Sequence, residues 1–210
     1  MPDILGSIHF TWPFYVGFAF AYLLGSIPFG LLLTKLSGLG DIRDIGSGNI
    51  GATNVLRTGS KSLAALTLIL DLGKGTGVVL IAAHLGPDMM AITAAGVVLG
   101  HVFPVWLKFR GGRGVATTMG VLIALAWPVG LLACLTWIAV IALSRLSSLA
   151  ALISLAASPV FAWWLADPQR TEIAAALALL VWIRHWSNIR RLLKGEEPRV
   201  SLNKAAKDGE

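Results

Sequence analysis

The sequence predicts an all-α integral membrane protein with seven transmembrane helices, its N-terminus outside and its C-terminus cytoplasmic. Three observations lead there. Of 210 residues, 56% are apolar and only 13% charged, against roughly 25% charged in a soluble domain; mean hydropathy is +0.75. That is too little polar surface to coat a water-exposed globule, and disordered, collagen-like and disulfide-rich classes fail on the same numbers. The apolar residues also fall into stretches of bilayer length. Finally, fifteen of the seventeen basic residues sort to one side of those stretches.

A hydrocarbon core about 30 Å thick takes about 20 apolar residues per helix. On that scale, spans lie near 12–35, 62–85, 89–107, 114–127, 129–145, 147–166 and 170–189. The first has no basic stretch ahead of it, and Gly25-Ser26-Ile27-Pro28 falls inside the apolar run, so it does not read as a cleavable signal. The second holds Asp71 and Lys74 at i and i+3. A lone charge at mid-bilayer costs about 2.5–3.5 kcal/mol on insertion scales, so these two are expected to pair. The stretch 114–145 is long for one helix and scant for two; Trp127-Pro128 is its sharp break, because proline removes a backbone donor. Two short helices meeting there are expected. Residues 1–193 then form one membrane domain, and 194–210 a hydrophilic cytoplasmic tail.

Orientation follows from the basic residues. Lys35, Arg43, Arg57 and Lys61 share a side with Lys108, Arg110, Arg113 and Arg145. With seven spans they also share it with Arg184, Arg190, Arg191, Lys194, Arg199, Lys204 and Lys207, leaving only Arg170 outside and Lys74 within a span. Six spans would set the last cluster opposite the first two. This placement accounts for the net charge of +6 without a nucleic-acid partner. A single cysteine, Cys134, excludes an internal disulfide and argues against a metal cluster.

Polar residues concentrate in three cytoplasmic loops. The first contains Gly46, Ser47, Gly48, Asn49, Gly51, Thr53, Asn54 and Arg57. Its glycines spell G-x-G-x-x-G, but no strand precedes them, so the dinucleotide fingerprint is a decoy. Converging glycine amides still attract anions, and Arg57 adds a fork that matches phosphate. A flexible loop with one topology-setting arginine is the plainer alternative.

The second loop sets Lys108, Arg110 and Arg113 among Gly111, Gly112 and Gly114, with His101 just before it. That is the layout of a phosphate cradle, or of a basic anchor for anionic lipid. In the third loop, His185 and Asn188 stand three apart, followed by Arg191 and Glu197. A histidine held by polar neighbours suits a general base; an interfacial belt with a basic tail is the alternative. There is no G-x-S-x-G elbow, H-E-x-x-H or Walker A motif, and neither His101 nor His185 begins H-x4-D. The pattern points to phosphate recognition without nucleotide, metal or cofactor.

At these loops the sequence resembles the bacterial acyl-phosphate:glycerol-3-phosphate acyltransferases, the PlsY family. The resemblance rests on Ser47-Gly48-Asn49-Ile50-Gly51-Ala52-Thr53-Asn54 with Arg57, on Asp71 and Lys74-Gly75, and on Gly100-His101 with Gly111-Gly112-Arg113-Gly114-Val115-Ala116. It continues through Arg184-His185, Asn188-Ile189, Arg191-Leu192, Gly195 and Glu197. At Arg113 the family commonly has lysine, so the charge is kept.

The resemblance implies acyl transfer from acyl phosphate to the 1-hydroxyl of glycerol 3-phosphate, in the bacterial inner membrane. His185, Asn188 and Ser47 would serve the chemistry; Arg57, Lys108, Arg110 and Arg113, with Gly46, Gly48, Gly51, Gly111, Gly112, Gly114, Asn49, Thr53 and Asn54, would hold phosphates. Asp71, Lys74, His101, Arg191 and Glu197 would orient the rest. Membrane lipid and a soluble acyl-phosphate-forming enzyme are the expected partners. The rival is a transporter for a phosphorylated solute, which would need polar residues in the outer halves of the spans. A purely structural or docking protein would leave the three polar loops unexplained.

Overall fold

The computed structural model of the protein describes residues 8–200; Lys204, Lys207 and the rest of 201–210 lie outside the described residues. All regular structure in the described part is helical.

The first apolar stretch is not one helix, as expected, but two: α1 (Ile8–Gly25) and α2 (Phe29–Leu36). Pro28 removes a backbone donor and pushes the residue before it out of the helical region, which ends α1 at the Gly25–Pro28 step. A loop then contains two short 3-10 turns and the four-residue α3 (Ala52–Val55). Ser60 starts α4 (Lys61–Ala83) by accepting from the Leu63 amide. Next come α5 (Pro87–Val102), α6 (Val115–Leu125) and α7 (Trp127–Ser144). The α6–α7 break falls where Pro128 was expected to put it, with Ala126 extended between the two helices.

α8 (Ser147–Leu165) leads to α9 (Pro168–Arg184), capped by Asp167, and then to α10 (Trp186–Leu193). The seventh stretch was expected to run unbroken to 189; instead it turns at His185 into the separate α10.

Helices pack mainly as α1 on α5, α4 on α6, and α7 on α8 on α9. Small residues allow the tightest approach, as is usual between membrane helices. At Gly120 of α6, an added Cβ would meet the Leu72 carbonyl of α4, and the Thr76 hydroxyl bonds the Gly120 carbonyl at 2.9 Å. Among the described residues, five stretches are long and apolar enough to cross a membrane: Phe10–Leu36, Lys61–Ala83, Pro87–Leu107, Trp127–Ser144 and Ser147–Leu165. α6 is shorter and apolar. Below the helices, the first polar loop has a small core of its own in Leu31, Ile42, Ile50, Val55 and Ala64.

Candidate active site

Asn54 organises the first loop. It is buried, and its Nδ2 is shared among the carbonyls of Asn49 (2.8 Å), Ile42 (2.9 Å) and Ile45 (3.0 Å). Its Oδ1 accepts from the Ser47 amide at 3.2 Å. Asn54, expected as a phosphate ligand, is engaged within the loop. Thr53 likewise bonds Ser147 at the start of α8, at 3.1 Å. Gly46 sits at φ +58, with the Arg57 guanidinium folded over it where a Cβ would stand.

The second loop folds back against the end of α5. The Gly111 amide donates to the Val102 carbonyl (3.2 Å), and the Gly112 amide to that of His101 (3.0 Å). The Gly48 amide is similarly given to Ile45, and that of Gly51 to the Asn49 side chain. These four amides were expected to cradle phosphate. Here they close the loops.

Behind the second loop lies a buried network. Lys74 Nζ is 2.7 Å from Asp71 Oδ1, 3.0 Å from His101 Nδ1 and 2.9 Å from the Ile27 carbonyl. The pairing of Asp71 with Lys74 was legible from their spacing; the entry of His101, from another helix, was not. His101 Nδ1 also lies 3.6 Å from Asp71 Oδ1, so the three side chains share one buried cluster. The network ties α4 and α5 to the break after α1.

In the third loop, Glu197 folds back over α10. It accepts from Asn188 Nδ2 through Oε1 (2.5 Å) and from Arg191 Nε through Oε2 (2.7 Å). Burial raises the Glu197 carboxyl, but these donors outweigh it and hold the group below its ordinary value. His185 and Asn188 are 2% and 1% exposed. Both, expected to serve the chemistry, are buried beside Ser187, which lines the cleft. The His185 Nδ1–H donates to the Val181 carbonyl at 2.8 Å, so Nε2 keeps the lone pair. Burial, reinforced by the charge of Arg113, lowers the imidazole to about 4.

The three loops converge on one cleft of about 730 Å³. Ser47, Gly48 and Asn49 come from the first loop, Arg110, Gly111 and Arg113 from the second, and Arg184 and Ser187 from the third. Burial, together with the neighbouring Arg191, Arg57 and Arg184, lowers Arg113 to about 10, still cationic at neutral pH. Arg57, folded over Gly46, is not among the residues lining the cleft. Lys108 is exposed nearby, and Gly51 has an ordinary φ of −83°.

Two lining arginines were missed as site residues. Arg43 is gripped by Asp41 through Nε (2.9 Å) and Nη2 (2.6 Å), and the D-x-R spacing was the available clue. Arg184 lies over the Phe103 ring at 5.3 Å; adjacency to His185 was its clue.

The family profile described as glycerol-3-phosphate acyltransferase matches residues 15–195. The glycerol-3-phosphate acyltransferase of Rhodospirillum rubrum is 58% identical over 194 residues, covering 88% of this chain and 90% of the relative. That of Paramagnetospirillum magneticum is 60% identical over 184 residues, covering 87% and 92%. Among solved structures, the integral membrane enzyme PlsY (YgiH) in its glycerol 3-phosphate form superposes with a TM-score of 0.85 at 37% identity, over 90% of this chain and 96% of that one. Its lysophosphatidic acid form gives 0.84 at 36%, with the same coverage. On this likeness along nearly its whole length, the chain belongs to the PlsY family of integral membrane glycerol-3-phosphate acyltransferases.

Proposed function

We propose that this protein moves a fatty acyl group from acyl phosphate to the 1-hydroxyl of sn-glycerol 3-phosphate, giving lysophosphatidic acid and inorganic phosphate. The observation that carries this is the single cleft in which three distant polar loops pool Arg43, Arg110, Arg113 and Arg184 around Ser47. Two anionic head groups need such a concentration of fixed cations. The related PlsY structures, one with glycerol 3-phosphate and one with lysophosphatidic acid, name the acceptor and the product of this reaction.

The protein sits in the bacterial cytoplasmic membrane and crosses it seven times, α1 and α2 counting as one pass, with the N-terminus outside. Residues 1–193 form the membrane domain and 194–210 the cytoplasmic tail. Supporting this, the seven-pass arrangement puts the cleft and fifteen of the seventeen basic residues on the cytoplasmic side. A soluble enzyme that forms acyl phosphate would deliver the donor at that face.

Acyl phosphate is a mixed anhydride, already activated, so the protein chiefly aligns substrates and stabilises charge. The acceptor hydroxyl oxygen attacks the acyl carbon, the carbon–oxygen bond to phosphate breaks, and its electron pair leaves on phosphate. Arg57, Lys108, Arg110 and Arg113 balance the two phosphates; Ser47 orients the attacking hydroxyl. The hydroxyl proton passes to the leaving phosphate, whose oxygen, holding the electron pair of the broken acyl bond, is a better acceptor than His185, held near 4. His185 and Asn188 then support the floor of the cleft, with Glu197 and Arg191 fixing Asn188.

The test is phosphate release by purified protein in detergent, given palmitoyl phosphate and glycerol 3-phosphate. Release should require both, and palmitoyl-CoA or an acyl carrier protein thioester should not replace the donor. Turnover with the thioesters but not with acyl phosphate would sink the proposal. So would movement of unaltered labelled glycerol 3-phosphate across liposomes without conversion.

A further inference from the structure

We infer that the outward face of α10 is a binding surface for anionic phospholipid headgroups, and that lipid seated there supports catalysis by steadying the helix whose first turn lines the cleft. This rests on the acyltransferase reading and on the membrane orientation given with it.

α10 has two unlike faces. On the inward one, Asn188 is 1% exposed and clasped by Glu197, which also takes Arg191 at 2.7 Å. Gly195, at φ +71, turns the chain back so that Glu197 can make those contacts. On the outward face stand Trp186, Arg190 and Leu193, at i, i+4 and i+7, with the exposed Lys194 four residues after Arg190. Trp186 and Leu193 are 58% and 84% exposed, and the Arg190 guanidinium lies over the Trp186 ring at 5.3 Å. Neither Arg190 nor Lys194 has a carboxylate partner among the described residues.

The occupant follows from what this face continues. On α9, Leu179 and Ile183, one turn apart, are 63% and 62% exposed, as suits a helix side that meets hydrocarbon. On α10 the exposed apolar side chains become interleaved with cations. That change marks the level of the headgroups, where tryptophan and snorkelling cations collect. From Trp186 to Arg199 the chain carries four basic residues and two acidic ones, so the surface favours anionic over zwitterionic lipid. An acidic soluble protein would match the cations but has no need of apolar side chains continuous with a membrane-facing helix.

The link to the cleft is short. Trp186 and Ser187, in the first turn of α10, line it, and the buried His185 and Asn188 flank them. α10 has only eight residues, and a helix of that length is marginal unless something fastens it. Glu197 fastens the inward face; lipid fastens the outward one.

The experiment titrates palmitoyl-oleoyl phosphatidylglycerol into the purified full chain in dodecyl maltoside micelles, with the matching phosphatidylcholine as neutral control. The thermal unfolding midpoint reads binding, and phosphate release from palmitoyl phosphate with glycerol 3-phosphate reads the coupling. In wild type the anionic lipid should raise both, and the neutral lipid neither. Arg190→Gln/Lys194→Gln should match wild-type release without added lipid, yet need about thirtyfold more phosphatidylglycerol for half the midpoint rise. Lys61→Gln, which removes a cation elsewhere on the same side, should titrate as wild type. A double variant that titrates as wild type overturns the inference, as does phosphatidylcholine that works equally well. An equal midpoint rise with poly-glutamate would also overturn it, making the face a site for acidic protein. A wild type whose midpoint rises as expected but which transfers no acyl group keeps the lipid surface and overturns the acyltransferase reading instead.

Discussion

The ring of His101 fills the space that a side chain at Gly112 would need, and the Gly112 amide donates to the His101 carbonyl at 3.0 Å. A residue from the buried Asp71–Lys74 network thus sets the height of the loop that carries Arg113. Gly112→Ala should therefore destabilise the protein by about 1–3 kcal/mol, the usual range for overpacking, and remove most activity. Thermal unfolding in detergent beside phosphate release checks this; an unshifted midpoint would contradict the contact.

Asn54 leads to a second expectation. Asn54→Leu leaves several loop carbonyls without their donor inside a small apolar core, at about 1–3 kcal/mol for the first orphaned group. Phosphate release should drop at least tenfold. Proteolysis should cut the 42–58 segment faster than in wild type, and equal cleavage rates would argue against a loop held by this one amide.

The charge at position 113 should matter more than the shape of its donor. Arg113→Lys should keep kcat/KM within about tenfold of wild type, while Arg113→Ala should lose about a hundredfold or more, as for removal of a charged partner of a desolvated anion. Steady-state kinetics with both substrates varied separates the two. Equal losses would show that the fork, not the charge, is required.

Acid should weaken the fold through His185. Its folded value of about 4 lies below the unfolded 6.5, so the unfolded chain binds the proton first and stability falls as pH drops from about 6.5 toward 4. The full loss is about 3 kcal/mol. Glu197, held below its ordinary value, adds a further loss at still lower pH. Unfolding midpoints from pH 7.5 to 4.5 should slope less steeply in His185→Gln; parallel slopes would remove His185 as the cause.

Cys134, half-buried in α7 and absent from the cleft lining, should be replaceable. Cys134→Ala should retain activity within about twofold, and thiol reagents should leave the wild type working. Inactivation by a thiol reagent that spares Cys134→Ala would require a different account of the site.

Much of this architecture was legible because its causes are local. Pro128 ends a helix whatever surrounds it, and Asp71 must find Lys74 because nothing else charged lies within a turn. Cation-rich loops flanked by bilayer-length stretches had few arrangements other than gathering on one face. The roles of individual glycines were not legible. The same converging amides can face an anion or a neighbouring carbonyl, and the sequence around Gly48, Gly51, Gly111 and Gly112 is identical in both cases. Nor could spacing reveal that His101 reaches Lys74, since that depends on how α4 lies against α5. Arg43 and Arg184 looked like topology signals because cations at a membrane face usually are; only the folded loops turn them into the cleft.

The return of the chain after α10 has a practical consequence for anyone trimming this protein. Glu197 clasps Asn188 and Arg191, and the Val200 amide donates to the Arg145 carbonyl at 2.8 Å. A stop codon placed at the hydrophilic boundary after Leu193 would amputate a buckle that fastens the turn at Arg145 to α10. Reporter fusions and affinity tags belong beyond residue 200.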